Sequence, residues 1–219
     1  MVECILLISV FLQDMFAAGT GSTFAVVEWT MAELMRNPKA MQKLQEEVRG
    51  VAGGQSMVTE NNLHQMKYLK CVIKECLRMH PPIPLVPRQS IQAVNIDGYH
   101  IPAKTWVLIN ACGIARDPIS WESPEEFQPE RFLSSSYSHI DFEGNDYELL
   151  PFGAGRRGCP GIHFAIATIE LVLANLVYHF NWEMPSGMSL EDLDMTESSG
   201  LTVHKKKAIL LLPRDVVTK

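Results

Sequence analysis

The sequence has no basic surplus: 19 Lys and Arg stand against 25 Asp and Glu over 219 residues, a formal charge of −6. Neutralising a phosphate backbone takes clustered cations, so the balance argues against a nucleic-acid partner. Cysteine is sparse and unpaired in pattern. Cys4, Cys71, Cys76, Cys112 and Cys159 are odd in number and contain no C-x-x-C. That excludes a disulfide framework or a zinc ribbon, and it points to a reducing compartment or the cytosolic face of a membrane. No basic residues precede the first apolar run, Ile5 to Leu12, which is far short of the roughly twenty residues a bilayer span needs. Neither a secretory signal nor an N-terminal anchor is expected, and the run reads as the start of a buried helix. Gly at 14 and Pro at 13 are close to ordinary usage, and no internal repeat is visible, which removes fibrous and low-complexity classes. What is present is 47% hydrophobic and 20% charged, enough for a sizeable core.

Helical signals dominate to about Met35, interrupted once by Ala17-Ala18-Gly19-Thr20-Gly21-Ser22-Thr23. Each internal glycine costs about 1 kcal/mol against alanine, and Ser or Thr can bond back to the preceding turn and bend the helix. The tract is either a close-packing contact or a groove beside a ligand. Asn37-Pro38 starts a second helix, with Met41, Leu44, Val48 and Val51 on one face and Gly53-Gly54 ending it. Thr59 caps a short turn, and a further helix runs from Tyr68 to His80, where Pro81-Pro82 stop it. Residues 93–96, Asp97-Gly98 and 99–101 make a hairpin with type I′ turn chemistry, and 105–110 alternate as a strand. An irregular meander follows from Arg116 to Tyr147. Ile162 to Phe180 is a helix apolar nearly all round, expected at the centre of a core; Glu170 at its middle argues against a membrane span. Short strands are expected near 181–183 and 208–212, and Lys205 to Lys207 as a solvated turn.

Ahead of that long helix lies Pro151-Phe152-Gly153-Ala154-Gly155-Arg156-Arg157-Gly158-Cys159-Pro160-Gly161. Gly153-x-Gly155-x-x-Gly158 matches a dinucleotide fingerprint only weakly, because Pro151 blocks strand pairing upstream and no acidic residue follows a second strand. The thiol of Cys159 faces a helix N-terminus with Arg156 and Arg157 nearby, each of which stabilises negative charge on sulfur. Three readings stay open on the residues: an inert buried cysteine, a nucleophile served by a histidine such as His163, or a ligand to a soft metal centre, where a lone thiolate suffices for haem iron but not for zinc.

The chain resembles the C-terminal part of a cytochrome P450, most closely the microsomal plant members. The signature F-x-x-G-x-R-x-C-x-G is met by Phe152, Gly155, Arg157, Cys159 and Gly161. The resemblance implies haem b (iron protoporphyrin IX) with the Cys159 thiolate as axial ligand, Phe152 beside the sulfur, and Arg157 on a haem propionate with Arg88 as a second partner. E-x-x-R is met by Glu75 and Arg78, and P-E-R-F by residues 129–132; the resemblance implies a structural triad of Glu75, Arg78 and Arg131 that locks the meander to its helix. Ala18, Gly19, Thr20 and Thr23 fit the family's oxygen-binding tract. Gly21 replaces its acidic residue, and Ser22 stands where threonine is usual, so impaired proton delivery is expected. Leu85, Val86, Gly200, Leu201 and Thr202 are carried over as substrate-pocket walls.

The implied fold is mainly α with small β-sheets (α+β), residues 1–219 forming an incomplete cytochrome P450 domain. The anchor, the first strands of the main sheet, the helix that supplies Trp and Arg to the other haem face, and the pocket roof are not represented. The implied activity is a haem-thiolate monooxygenase that hydroxylates a small apolar molecule with O2, and electrons reaching it from NADPH through NADPH-cytochrome P450 reductase at the cytosolic face of the endoplasmic reticulum. The alternatives are a truncated non-catalytic product, or a haem-thiolate rearrangement enzyme needing no external electrons.

Overall fold

The computed structural model describes residues 2–198, 200 and 202–216, with side chains from residue 9 onward. Helix α1 spans Val2–Arg36 without a break. The helix survives Gly19 and Gly21 because neither glycine adopts a left-handed conformation. The Ser22 hydroxyl spends its hydrogen inside the helix, donating to Ala18 O at 2.7 Å. Burial of the C-terminal half, where Ala25, Trp29, Ala32 and Leu34 are at most 1% exposed, offsets the cost of the glycines. The expected burial of the first apolar run does not hold where side chains are described: Val10, Phe11 and Leu12 are about half exposed, because α1 packs only from residue 25 onward.

Helix α2 (Pro38–Ala52) buries Met41, Leu44 and Val48 and ends at Gly53, whose φ of 58° is the left-handed cap. The short α3 (Glu60–Leu63) is boxed by Thr59, whose N–H donates to Asn62 Oδ1 at 2.9 Å. Helix α4 (Lys67–Met79) stops at His80, before Pro81. Strand β1 (Leu85–Gln89) pairs antiparallel with β4 (Trp106–Asn110), and β2 (Val94–Ile96) pairs with β3 (Tyr99–Ile101) through Asp97 and Gly98, both at positive φ as a type I′ turn requires. One turn, α5 (Ala111–Ile114), opens the meander, which carries a 3-10 turn at Pro129–Leu133. Helix α6 (Ile162–His179) leads into β5 (Phe180–Glu183), and the chain closes with β6 (Glu197–Ser198), β7 (His204–Lys205) and β8 (Leu212–Asp215).

Every sheet is an antiparallel pair among the described residues, β5 with β8 and β6 with β7 completing the set. No parallel βαβ unit therefore supports the glycine spacing as a dinucleotide fingerprint. The strand expected at 208–212 is displaced to β8 because the Ile209 N–H donates to Glu28 Oε1 on α1, at 3.2 Å, in place of a ladder partner. The expected solvated turn at 205–207 is half right. Lys206 and Lys207 are exposed, but Lys205 is 4% exposed, with its Nζ 4.8 Å from the Trp29 ring centroid and donating to Asp194 O.

The core is formed by the second half of α1 with α2, α4 and α6. Helix α6 is less central than its composition suggests: Ile169, Leu173, Ala174 and Val177 are buried on one face, and Phe164 is 79% exposed. Asn175 ties α6 to the chain before α3 by accepting from Val58 N and donating to Val58 O, both at 3.0 Å. By length and apolarity α6, and α1 from Ser9, would each cross a bilayer. Glu28 and Glu33 are buried on the C-terminal half of α1 and Glu170 on α6, so those faces pack against protein.

Candidate functional site

Three residues apart on α4, Glu75 and Arg78 share a helical face. The Arg78 guanidinium grips the carboxylate with both arms, Nε to Oε2 and Nη2 to Oε1, each at 2.9 Å. Arg131, from the 3-10 turn, donates Nε to the same Oε1 at 3.0 Å, and the Gln128 N–H adds a fourth bond at 2.9 Å. All three side chains are buried, Glu75 and Arg78 with no exposed surface. One carboxylate between two guanidiniums leaves a buried net positive charge, and the meander backbone solvates it. Ala115, Pro124, Glu126, Glu122 and Ser123 turn their carbonyl oxygens onto the remaining guanidinium N–H groups at 2.7–3.3 Å. Trp121 lies under both arginines, 5.3 and 6.0 Å from its ring centroid. Neither this carbonyl cage nor Trp121 was found by sequence reasoning. Pro124 is its visible trace, since a proline carbonyl accepts while its nitrogen donates nothing.

The meander passes into the cysteine loop through Leu149 and Leu150, both buried, and Phe142, which meets Phe152 edge-on at 5.8 Å. Gly153 and Gly155 take φ of 69° and 67°, so the loop needs glycine at both. The Cys159 N–H donates to Phe152 O at 2.9 Å and the Gly158 N–H to Gly155 O at 3.0 Å, folding residues 152–159 back on themselves. Cys159 is exposed; Gly161 caps α6, and a Cβ there would stand 4.0 Å from the sulfur. Arg88, on β1, lies across this loop. Its Nη2 donates to Arg157 O at 3.2 Å and would meet a Cβ at Gly153 at 3.3 Å. Phe152, Gly155, Arg157, Cys159, Gly161 and Arg88 thus share one small region, with the Arg157 side chain exposed beside it.

The other site residues are scattered around this region. Gly19 and Gly21 have open space where a Cβ would be, and Ser22 and Thr23 are half-buried on α1; among the described residues no hydrogen bond or ion pair joins them to the cysteine loop. Leu85 is exposed and Val86 half-buried on β1. Gly200 is exposed and Thr202 half-buried, and Leu201 lies outside the described residues. The Val203 N–H donates to Pro82 O at 2.8 Å, bringing Thr202 and Val203 alongside the entry to β1.

Among the described residues no three His, Cys, Asp or Glu side chains are grouped to hold a metal, so Cys159 offers a single sulfur. That sulfur is exposed, a glycine beside it leaves open space at Gly155, and two arginines stand at the loop. A flat, dianionic group that brings its own four equatorial donors fits this arrangement.

Behind the loop a cavity of about 330 Å³ is lined by α4 (Lys70, Lys74), the meander (Asp141, Phe142) and α6 (His163, Glu170). Burial pushes the Glu170 carboxyl above its ordinary range, and Lys70, 3.8 Å away, pulls it back less strongly.

A family model described as Cytochrome P450 matches residues 7–212. Cytochrome P450 71A1 of Persea americana is 56% identical over 202 residues, which is 92% of this chain and 40% of that protein. Cytochrome P450 71A2 of Solanum melongena is 57% identical over 92% of this chain and 40% of its own length. Norfluorocurarine oxidase of a Strychnos species is 54% identical over 90% of this chain and 38% of its own length. The chain therefore spans about two fifths of these relatives.

Glu75→Gln leaves two buried arginines without a counter-charge, and the expected loss is about 3–5 kcal/mol, read as a lower urea midpoint. Glu170 gives a test in pH. Its folded-state value lies above the unfolded one, so the folded chain holds the extra proton between them. Its contribution is fully present below the ordinary glutamate value and is lost as pH rises through the raised one. Glu170→Gln is expected to raise the urea midpoint at pH 7, with the gain over the parent shrinking as pH falls toward the ordinary glutamate range.

Proposed function

Because the chain belongs to the cytochrome P450 family, we propose that it is the haem-thiolate part of a monooxygenase, with residues 1–219 contributing to one P450 domain. Cys159 would hold the iron of haem b through its thiolate. The observation that carries this reading is the exposed Cys159 sulfur at a two-glycine turn, with Arg88 bonded across the same loop. Bound there, the haem supplies the oxygen chemistry: one atom of O2 enters a C–H bond of a small apolar substrate and the other leaves as water, with two electrons drawn from NADPH through a flavoprotein reductase.

The chain's own residues hold and shield. Arg88 and Arg157 pair with the two carboxylates of the porphyrin edge. Phe152 blocks water from one side of the sulfur while its carbonyl fixes the Cys159 backbone, and Gly155 and Gly161 keep the approach clear. Glu75, Arg78 and Arg131 hold the meander that carries the loop. Leu85, Val86, Gly200, Leu201 and Thr202 form apolar walls for the substrate.

Ser22 and Thr23 handle protons beside Gly19 and Gly21. Ser22 donates to Ala18 O, so its hydroxyl must rotate before it can donate elsewhere, and Gly21 offers no carboxylate to relay the proton. A slow, leaky proton supply follows. The relatives are plant proteins, one of them named for oxidising norfluorocurarine, and a plant secondary metabolite handled at the microsomal membrane is the substrate setting we infer.

A second reading is favoured by the exposure of Phe11 and Phe16: a truncated product that retains haem poorly. Counting iron per polypeptide after refolding with haem separates the two. The first reading expects close to one iron and, in the reduced protein under carbon monoxide, the red-shifted absorption of thiolate ligation, lost in Cys159→Ala. Colourless protein, or a spectrum indifferent to Cys159→Ala, sinks it. If proton supply is the weak step, Gly21→Asp combined with Ser22→Thr lowers the hydrogen peroxide released per NADPH by about tenfold in the reductase-coupled protein; general acid–base groups contribute at least that much elsewhere. The space at Gly21 admits the larger side chain.

A further inference from the structure

Four buried polar or aromatic residues far apart in sequence meet near the end of α4. Trp29 and Glu33 come from α1, His80 follows α4, and Lys205 lies on β7; they are 1%, 2%, 9% and 4% exposed. The His80 Nε2–H donates to Glu33 Oε1 at 2.8 Å, and the imidazole stacks on the Trp29 indole at 4.1 Å with 2° between the planes. Lys205 Nζ stands 4.8 Å from the same indole centroid and is anchored by Asp194 O. One indole therefore receives both the residue after α4 and a cation from the C-terminal hairpin.

As a core this arrangement is costly. His80 Nδ1 is buried without a hydrogen-bond partner, and burial lowers the Lys205 ammonium from its ordinary value against the pull of Glu28, Asp194 and Glu33. Leucines would hold the same helices together with less desolvation. What charges and stacked rings add is direction: His80 is aimed at Glu33 and laid flat on Trp29, and Lys205 is held between Trp29 and Asp194.

That direction is passed on along the backbone. His80 is followed by Pro81 and Pro82, whose fixed φ transmits its orientation toward β1. Lys205 is two residues from Val203, whose N–H donates to Pro82 O at 2.8 Å. The cluster and this hydrogen bond close a loop around the two segments that the proposed function assigns to the substrate walls.

We propose that Trp29, Glu33, His80 and Lys205 are positioning residues that fix the spacing between the 82–86 segment and Thr202 and Val203, and so the width of the apolar site. Calling those segments pocket walls rests on the proposed function; the mechanical link between them does not.

Amide hydrogen exchange on the full chain tests it. Lys205→Met, which keeps length and removes the cation, is expected to speed exchange at Val203 and along β1 by about tenfold or more, leaving Leu44 on α2 and Leu173 on α6 unchanged. Lys205→Arg restores the cation and returns exchange to near the parent rate. His80→Phe keeps a ring on Trp29 but loses Glu33, and gives the same local pattern. Unchanged exchange at both segments overturns the proposal. Equal acceleration across the whole chain, or global unfolding of the Met and Phe variants, also overturns it, since the cluster would then be ordinary core support. Exchange needs no haem: a chain that binds no iron would sink the proposed function and leave this link standing.

Discussion

The structure turns on one buried carboxylate. Glu75 is shared by two arginines, and both arginines have N–H groups to spare, so the segment that packs on α4 must supply carbonyl oxygens. The stretch from Ala115 to Glu126 supplies five of them without any helix or ladder to align them. A loop of this length with no regular structure would ordinarily fray, because its backbone groups bond to water as readily as to protein. Here the carbonyls face a charge that cannot reach water. Opening the loop strands two guanidiniums in a low-dielectric interior, which costs more than a neutral hydrogen bond does. The meander is therefore held by what its loss would leave behind.

Order propagates from that point toward the sulfur. Arg131 carries Phe132, which packs with Trp121, Ile140 and Leu149 in a small second core. Leu149 and Leu150 lead directly into Pro151, and Phe142 meets Phe152. Glu75 and Cys159 are thus joined by packed side chains and short turns, with no long flexible link between. Cys159 can be exposed and still placed, because its backbone N–H is tied to Phe152 and the next helix begins three residues later.

Much of this was legible because its cause is local. The three-residue spacing of Glu75 and Arg78 puts them on one face, Asp97-Gly98 is turn chemistry, and the glycines at 153 and 155 sit where the backbone turns left-handed. The failures have a common origin in partners distant along the chain. Gly19 and Gly21 suggested a break, yet α1 runs through because packing of residues 25–35 fixes its direction. Ile209 looked like strand and instead donates to Glu28, 181 positions away. Lys205 sat in a run of three lysines that reads as solvent, and nothing nearby announces that Trp29 and Asp194 will take it inside. Residue type and spacing report what a segment can do alone; the carbonyl cage and the indole cluster exist only after the fold has formed.

The two polar clusters divide the work in a way their chemistry explains. Around Glu75 the guanidinium N–H groups meet oxygens, and the cluster is buried, Glu75 and Arg78 with no exposed surface, so it resists change and suits a fixed scaffold for the cysteine loop. Around Trp29 the satisfaction is incomplete: one imidazole nitrogen is orphaned, and a lysine relies on a ring face and a carbonyl. A partly satisfied network has a lower barrier to rearrangement, since less is lost when one contact opens. The tighter cluster lies on the side that leads to Cys159, through Phe132, Leu149 and Phe152, and the looser one on the side that leads to Val86 and Thr202, through Pro82 and Val203.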